Sequence, residues 1–329
     1  MDRTTRSMIA GIGVAVPRKI ITNYDLEKIV DTSDHWIVTR TGIKQRRVLE
    51  KGRSNVDLSE QAAREALDRA GLKPEQLEMI LVGTITPDYP FPATACLLQA
   101  RLGASKALAF DLSAGCTGFV YALTVADQFI RSGACQNALV IGVEVLSRIV
   151  DWEDRSTCVL FGDGAGAAVV TRTNSGRGIL SFDLGSDGRG AELLMIPGGG
   201  SSFPTSRETV DRKLHYVKMN GNEIFKFAVR VVEENTLNLL KKAGFTPADL
   251  DFLFLHQANL RIIESARKRL KIPPERVPVN IDRYGNTSSA AIPLLIKEEM
   301  DAGRLLPGSL VAMVAFGAGL TWGGVLATW

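Results

Sequence analysis

Phe110-Asp111-Leu112-Ser113-Ala114-Gly115-Cys116-Thr117-Gly118-Phe119 marks a change of period in the chain. Residues 107–112 form a short, largely apolar run bounded by small residues, the pattern of a buried strand. Residues 119–130 then repeat apolar side chains at helical spacing. Cys116 therefore falls on a strand-to-helix turn. Such a turn lifts one side chain above a sheet and aims the first free N–H groups of the helix towards it. Those groups and the positive end of the helix dipole predict a thiol with a lowered pKa, able to attack a carbonyl carbon. A buried, inert cysteine on a glycine-rich turn has the same local sequence, so other residues must decide.

Outward from this turn, residues 8–14, 79–84 and 138–145 read as strands, and residues 59–70 and 93–101 as helices. The block Gly162-Asp163-Gly164-Ala165-Gly166 invites comparison with a dinucleotide fingerprint. Residues 167–171 continue as strand, so the helix N-terminus needed by a pyrophosphate is missing, and close-packed glycine turns are the better reading. From Gly178 the order begins again. Strand 179–184, helix 222–243, strand 250–255, helix 259–270, strand 276–280, helix 288–302 and strands 309–316 and 321–328 follow. This predicts a duplicated α/β unit, with one half over 1–175 carrying the cysteine and another over 176–329. Continuous apolar strands fit parallel sheets covered by helices on both faces.

Composition narrows the function. A length of 329 residues with 45% hydrophobic residues supplies a large core, and a net charge of +3 argues against nucleic acid as the main partner. The four cysteines, Cys96, Cys116, Cys135 and Cys158, include no CxxC pair, which excludes a zinc motif and a disulfide framework and fits a reducing cytoplasm. The apolar stretch 8–16 is broken by Gly11 and Gly13, is too short to span a membrane and lacks a cleavage pattern followed by polar sequence; it reads as a first strand.

In parallel sheets reactive groups gather beyond the carboxyl ends of the strands. His256, one of three histidines, follows the second strand of the second half, and Asn286 follows its third strand. If the halves pack about a pseudo-twofold axis, both converge on Cys116.

Ala114-Gly115-Cys116-Thr117-Gly118-Phe119, His256-Gln257-Ala258-Asn259, Gly285-Asn286-Thr287-Ser288, the Gly162–Gly166 block and Phe316-Gly317-Ala318-Gly319 occur in this order. Together they resemble the β-ketoacyl-acyl carrier protein synthase III family, over essentially the whole chain. The resemblance implies a thiolase-like α/β fold of two duplicated βαβαβαββ halves in a five-layered αβαβα arrangement, and a homodimer. It also implies initiation of type II fatty acid synthesis. In that reaction an acyl-CoA primer acylates Cys116, and malonyl-acyl carrier protein loses carbon dioxide to an enolate held by His256 and Asn286. Carbon–carbon bond formation then yields 3-oxoacyl-carrier protein.

On the same resemblance the oxyanion hole comes from backbone N–H groups of Cys116 and of the Ala318-Gly319 turn. Trp36 and Arg155 sandwich the adenine of CoA, Arg40 lies near its phosphates and Asn222 near its pantetheine arm. Arg261, with Gln257, Lys268 and Arg269, meets the acidic carrier protein, and Phe91 reaches across the dimer into the partner's acyl pocket. No cofactor or metal is implied, since both acyl donors are substrates. Ala318 departs from the usual glycine, which puts a positive φ there in doubt. No cysteine follows Cys158, unlike in a thiolase, and Asn286 stands where elongating condensing enzymes carry a second histidine. A cysteine thioesterase and a specialised condensing acyltransferase are the competing readings.

Overall fold

The computed structural model describes residues 6–329; residues 1–5, with which the first expected half begins, lie outside the described part. Up to Thr173 the chain forms β1 (Arg6–Ala15), α1 (Asn55–Ala70), β2 (Met79–Gly83), α2 (Thr94–Leu102), β3 (Leu108–Leu112), α3 (Gly118–Arg131), β4 (Asn137–Glu144) and β5 (Gly164–Thr173). From Gly178 it forms β6 (Gly178–Ser186), α4 (Gly221–Ala243), β7 (Phe252–Leu255), α5 (Leu260–Leu270), α6 (Ala291–Asp301), β8 (Leu310–Gly317) and β9 (Thr321–Thr328).

The first sheet has the order β3-β2-β4-β5-β1 and the second β7-β8-β9-β6. Counted from its own start, the second run follows the order 2-3-4-1, which matches the 2-4-5-1 of the first once the extra third strand of the first is set aside. The first sheet adds its third strand at the edge. The corresponding strand expected at 276–280 does not form. Pro278 has no N–H to donate, and the Asn280 N–H donates to Gln257 Oε1 at 3.1 Å instead of to a neighbouring strand.

Burial defines five layers. α1 and α2 pack on one face of the first sheet through Leu58, Ala62, Ala66 and Leu98. α3 and α6 lie between the sheets, where Phe119, Leu123, Ile292 and Ile296 meet Leu81 and Val140 on one side and Phe254 and Met313 on the other. α4 and α5 close the far side through Val232, Leu239, Ile262 and Ile263. α5 buries a single apolar face made by Ile262, Ile263, Ala266 and Leu270. A further apolar cluster, including Ile37, Leu146, Val159 and Phe161, joins the short helix Asp34–Thr41 to the segment between β4 and β5. In the glycine block, the Asp163 carboxylate accepts hydrogen bonds from Leu49 N, Ser147 N and Ser147 Oγ at 2.7, 2.8 and 2.6 Å, tying two loops together.

Candidate active site

β3 ends at Leu112, and a single tight turn, Gly115–Thr117, leads into α3. Two glycines hold this turn against the end of β8. Gly115 takes a φ of 54°, a left-handed conformation that glycine adopts without strain. A side-chain carbon on Gly317 would lie 2.7 Å from Cys116 N and 2.9 Å from Cys116 Cβ. Ala318 is not among the residues with positive φ; Gly319 beside it is, at 137°, so the methyl group at 318 is accommodated. The turn that the resemblance assigned to an oxyanion hole thus packs directly on the cysteine.

Cys116 is half-buried and lines two cavities. The inner one, about 190 Å³, is walled almost entirely by apolar side chains, among them Ile85, Leu146, Ile149, Val150, Phe161 and Val217. The outer one, about 110 Å³, contains His256 and Asn286 together with Phe225, Phe316 and Gly317. The three residues expected to converge therefore share one wall-lined space.

His256 follows β7, and its N–H donates to Val314 O at 2.9 Å. The imidazole lies edge-on to Phe316, ring centroids 5.4 Å apart, and its buried Nδ1 has no protein partner. Burial pushes its pKa down to about 3, so the ring is neutral and keeps one N–H donor. Asn286 is fixed by backbone hydrogen bonds to Leu160 and Gly162, and its Oδ1 accepts from Ser288 N at 2.9 Å. That acceptor being used, Nδ2 is left to donate.

The thiol departs from the sequence expectation. Burial pushes its pKa up to about 12, the negative charge of Glu144 adds to this, and hydrogen bonds from Ser288 and from its own N–H oppose it. The helix N-terminus does not make a free thiolate here, because desolvation of the anion outweighs the dipole. Cys116 rests as a thiol. Sequence reading passed over Glu144, which stands at the end of a strand buried along its whole length. A lone carboxylate in so apolar a strand was the available signal. It also passed over Ser288, held at a φ of 50°.

Outside the outer cavity lies an open recess lined by Trp36, Arg40, Asn222, Phe225, Asn259 and Arg261, which shares Gly221, Phe225 and Asn259 with it. Arg40 and Arg155 stack on Trp36 at 4.9 and 5.0 Å. Asn259 caps α5 and donates from Nδ2 to Arg40 O at 3.0 Å, which joins the two sides of the recess. Lys268 and Arg269 are exposed, Arg269 pairing with Glu233 at 3.0 Å. Gln257, expected on the carrier-protein surface, is buried. Its Nε2 donates to Leu255 O at 2.9 Å and its Oε1 accepts from Asn280, so it braces the backbone and has no surface to offer a partner. Phe91 is 86% exposed, beside the exposed Tyr89. Among the described residues no cluster of His, Cys, Asp or Glu is placed to hold a metal ion, and no helix is long and apolar enough to cross a membrane.

A thiol facing two neutral donors, with no strong base, suits an enolate made by decarboxylation better than one made by proton abstraction. In a five-layer fold built from a repeat, this places the chain among the thiolase-type condensing enzymes. Comparison with known proteins agrees. A family profile described as 3-oxoacyl-[acyl-carrier-protein] synthase III matches residues 110–188, and the profile of its C-terminal part matches residues 240–329. The beta-ketoacyl-[acyl-carrier-protein] synthase III of Caldanaerobacter subterraneus is 54% identical over 98% of this chain and 97% of its own length. The crystal structure of 3-oxoacyl-[acyl-carrier-protein] synthase III from Aquifex aeolicus superposes with a TM-score of 0.92 at 49% identity, covering 98% of this chain and 100% of that one. The priming β-ketosynthase of the R1128 polyketide pathway is 34% identical, with a TM-score of 0.91 over 98% of this chain and 96% of that one. The chain belongs to the 3-oxoacyl-[acyl-carrier-protein] synthase III family, and is an acyltransferase of the condensing type.

Proposed function

We propose that this enzyme condenses acetyl-CoA, as primer, with malonyl-acyl carrier protein to give 3-oxoacyl-carrier protein, CoA and carbon dioxide, the opening step of fatty acid synthesis. The observation that carries the reading is the position of Cys116 at the junction of an apolar cavity and a second cavity bearing two donors. In the first half-reaction Cys116 attacks the thioester, the oxyanion is held by its own N–H and by the Ala318-Gly319 turn, and CoA leaves. The acyl group rests in the apolar cavity. In the second, malonyl-carrier protein enters from the recess and loses carbon dioxide. The N–H donors of His256 and Asn286 stabilise the enolate, whose carbon attacks the acyl-cysteine. Both half-reactions use one site, so the kinetics are ping-pong.

The recess suits CoA. Trp36 and Arg155 offer stacking surfaces to adenine, Arg40 faces the phosphates and Asn222 the pantetheine arm. Arg155 now packs on Trp36 itself and must swing aside for a base to enter. Arg261, Lys268 and Arg269 form the cationic approach for an acidic carrier protein. The exposed Phe91 and Tyr89 support a homodimer in which Phe91 enters the partner's acyl pocket. Two structural halves meeting near residue 175 and residence in the cytoplasm, supported by four unpaired thiols, belong to the same proposal.

The test is incubation with a panel of acyl-CoAs, with and without malonyl-carrier protein, and weighing of the products. A 3-oxoacyl-carrier protein that forms only with both substrates is expected. Thioester hydrolysis independent of malonyl-carrier protein would make the protein a thioesterase and overturn the proposal.

A further inference from the structure

Glu144 closes the carboxyl end of β4 directly behind the nucleophile, fully buried, and the hydroxyls around it are arranged for two protonation states. Its Oε2 is occupied by donors: Thr86 Oγ1 at 2.7 Å, Ile85 N at 3.2 Å and Thr84 Oγ1 at 3.3 Å. The Thr84 and Thr86 hydroxyls are obliged to donate to it. Thr84 Oγ1 already accepts from Asn55 Nδ2 and Thr86 N, and Thr86 Oγ1 accepts from Val145 N.

The other oxygen is different. Oε1 faces Ser288 Oγ and Ser289 Oγ, each at 3.2 Å. Ser289 Oγ has a second acceptor, Gly83 O at 3.0 Å, to which its proton can turn. Ser288 and Cys116 line the same inner cavity, and the Ser288 hydroxyl acts on the thiol as a hydrogen-bond partner that lowers its pKa, so this one side chain reaches both the carboxyl and the nucleophile. Ser288 holds this place in a left-handed backbone conformation, a strained one for a residue with a side chain.

We propose that Cys116, Ser288 and Glu144 form a proton relay, in which Glu144 stores the thiol proton while the cysteine carries its acyl group. This rests on Cys116 as the acylated residue. In the forward step the Sγ–H bond breaks and that proton passes to Ser288 Oγ; the original Ser288 proton passes to Glu144 Oε1. The products are a thiolate accepting from Ser288 and a neutral carboxylic acid donating to it, with Ser289 turned to Gly83 O. No electron changes hands and no further reactant is needed. CoA departs as its thiolate and is protonated by solvent. When the condensation intermediate expels Cys116, the same proton returns along the same path.

At rest the proton would move uphill, from a thiol near 12 to a carboxyl near 7, and attack on the thioester draws it across by consuming the thiolate. Burial narrows the gap by raising the Glu144 pKa to about 7; the thiol is held high first by its own burial and then by the Glu144 charge, which the transfer removes. The elements packed around the carboxyl bring few other ionisable groups. Asp88, beyond Thr86, is engaged by Val56 N and Thr94 Oγ1 at 3.1 and 3.0 Å, and neutral His256 lies across the outer cavity from Cys116. Glu144 must be ionised to accept, so acylation rises with pH through about 7.

The test follows acetyl transfer from acetyl-CoA to the full-length protein by rapid quench and intact mass, across pH. The Glu144→Gln variant should acylate about 10²-fold more slowly at neutral pH, with the limb near neutrality gone. Ser288→Gly, which accepts the left-handed backbone and lacks the hydroxyl, should lose the same limb while keeping the carboxylate. In the wild-type protein, difference infrared spectra on acylation should show the carbonyl band of a protonated carboxyl appearing, a band absent from Glu144→Gln. A wild-type protein that takes no label on Cys116 overturns the nucleophile and the relay together. Normal labelling with an unchanged pH limb in Glu144→Gln, or no new carboxyl band in the wild type, overturns the relay alone.

Discussion

Gly317→Ala is the most discriminating single-atom perturbation this site allows. The added carbon would stand 2.7 Å from Cys116 N and 2.9 Å from Cys116 Cβ, against ordinary contact at about 3.5 Å or more. Neither neighbour is a flexible side-chain tip: both belong to the nucleophile's own backbone and first carbon. Relief requires the Gly115–Thr117 turn and the end of β8 to part by about 0.6–0.8 Å, the shortfall between those distances and normal contact. A misplacement of about 1 Å at a reacting group costs about 10²-fold in rate, or about 2.7 kcal/mol of barrier. Overpacking costs about 1–3 kcal/mol of stability besides. The assay is the rate of acetyl transfer to Cys116, read with thermal unfolding. Gly188→Ala is the control, since a side-chain carbon there meets nothing within 4 Å. Acyl transfer in folded Gly317→Ala at the rate of the control would refute the claim that the β8 turn sets the position of the thiol and its oxyanion donors.

Cys116→Ala should take no acyl label from acetyl-CoA, whereas His256→Ala and Asn286→Ala should be acylated yet fail to decarboxylate malonyl-carrier protein, as followed by intact mass and carbon dioxide release; persistent label on Cys116→Ala would defeat the assignment. Stability should depend on pH through His256. Its folded pKa of about 3 lies below the unfolded value of 6.5, so the unfolded chain binds the extra proton between them, and stability falls as pH drops from 6.5 towards 3. His256→Phe should flatten that part of a denaturant-midpoint profile; an unaltered slope would show that the imbalance lies elsewhere. Lys268→Glu should raise KM for the carrier protein several-fold and spare acetyl transfer from CoA. Arg261 cannot separate the two substrates, because it lines the recess assigned to CoA. Equal loss in both half-reactions of Lys268→Glu would remove α5 from the docking surface.

Much of this architecture is written in the period of the apolar residues. β4, buried throughout, and α5, with one apolar face, announce themselves because burial is what their composition encodes. Cys116, His256 and Asn286 are legible because each follows a strand and loops there face one common edge. The segment 276–280 misleads because its strand-like residues conceal Pro278 and a side-chain acceptor from Gln257. Pro278 stands in the sequence itself, whereas the contact with Gln257 is visible only once the chain has folded. The protonation of Cys116 misleads for a related reason: the helix dipole is local and can be read from the turn, whereas desolvation comes from Ile85, Leu146, Val150 and Val217, which are distant in sequence. Gln257 sits within a motif that also holds His256, but adjacency along a loop says nothing about which side chain turns inward.

The central layer has an implication for how the site is assembled. α3 brings the sulfur and α6 follows the carboxamide, and each helix is sandwiched between a sheet of its own repeat and one belonging to the other. Neither repeat by itself encloses a reaction chamber. A single run of this length, separated from the other, would therefore lack one wall of the chamber, so the nucleophile and the groups that stabilise charge come together only when both have folded against each other.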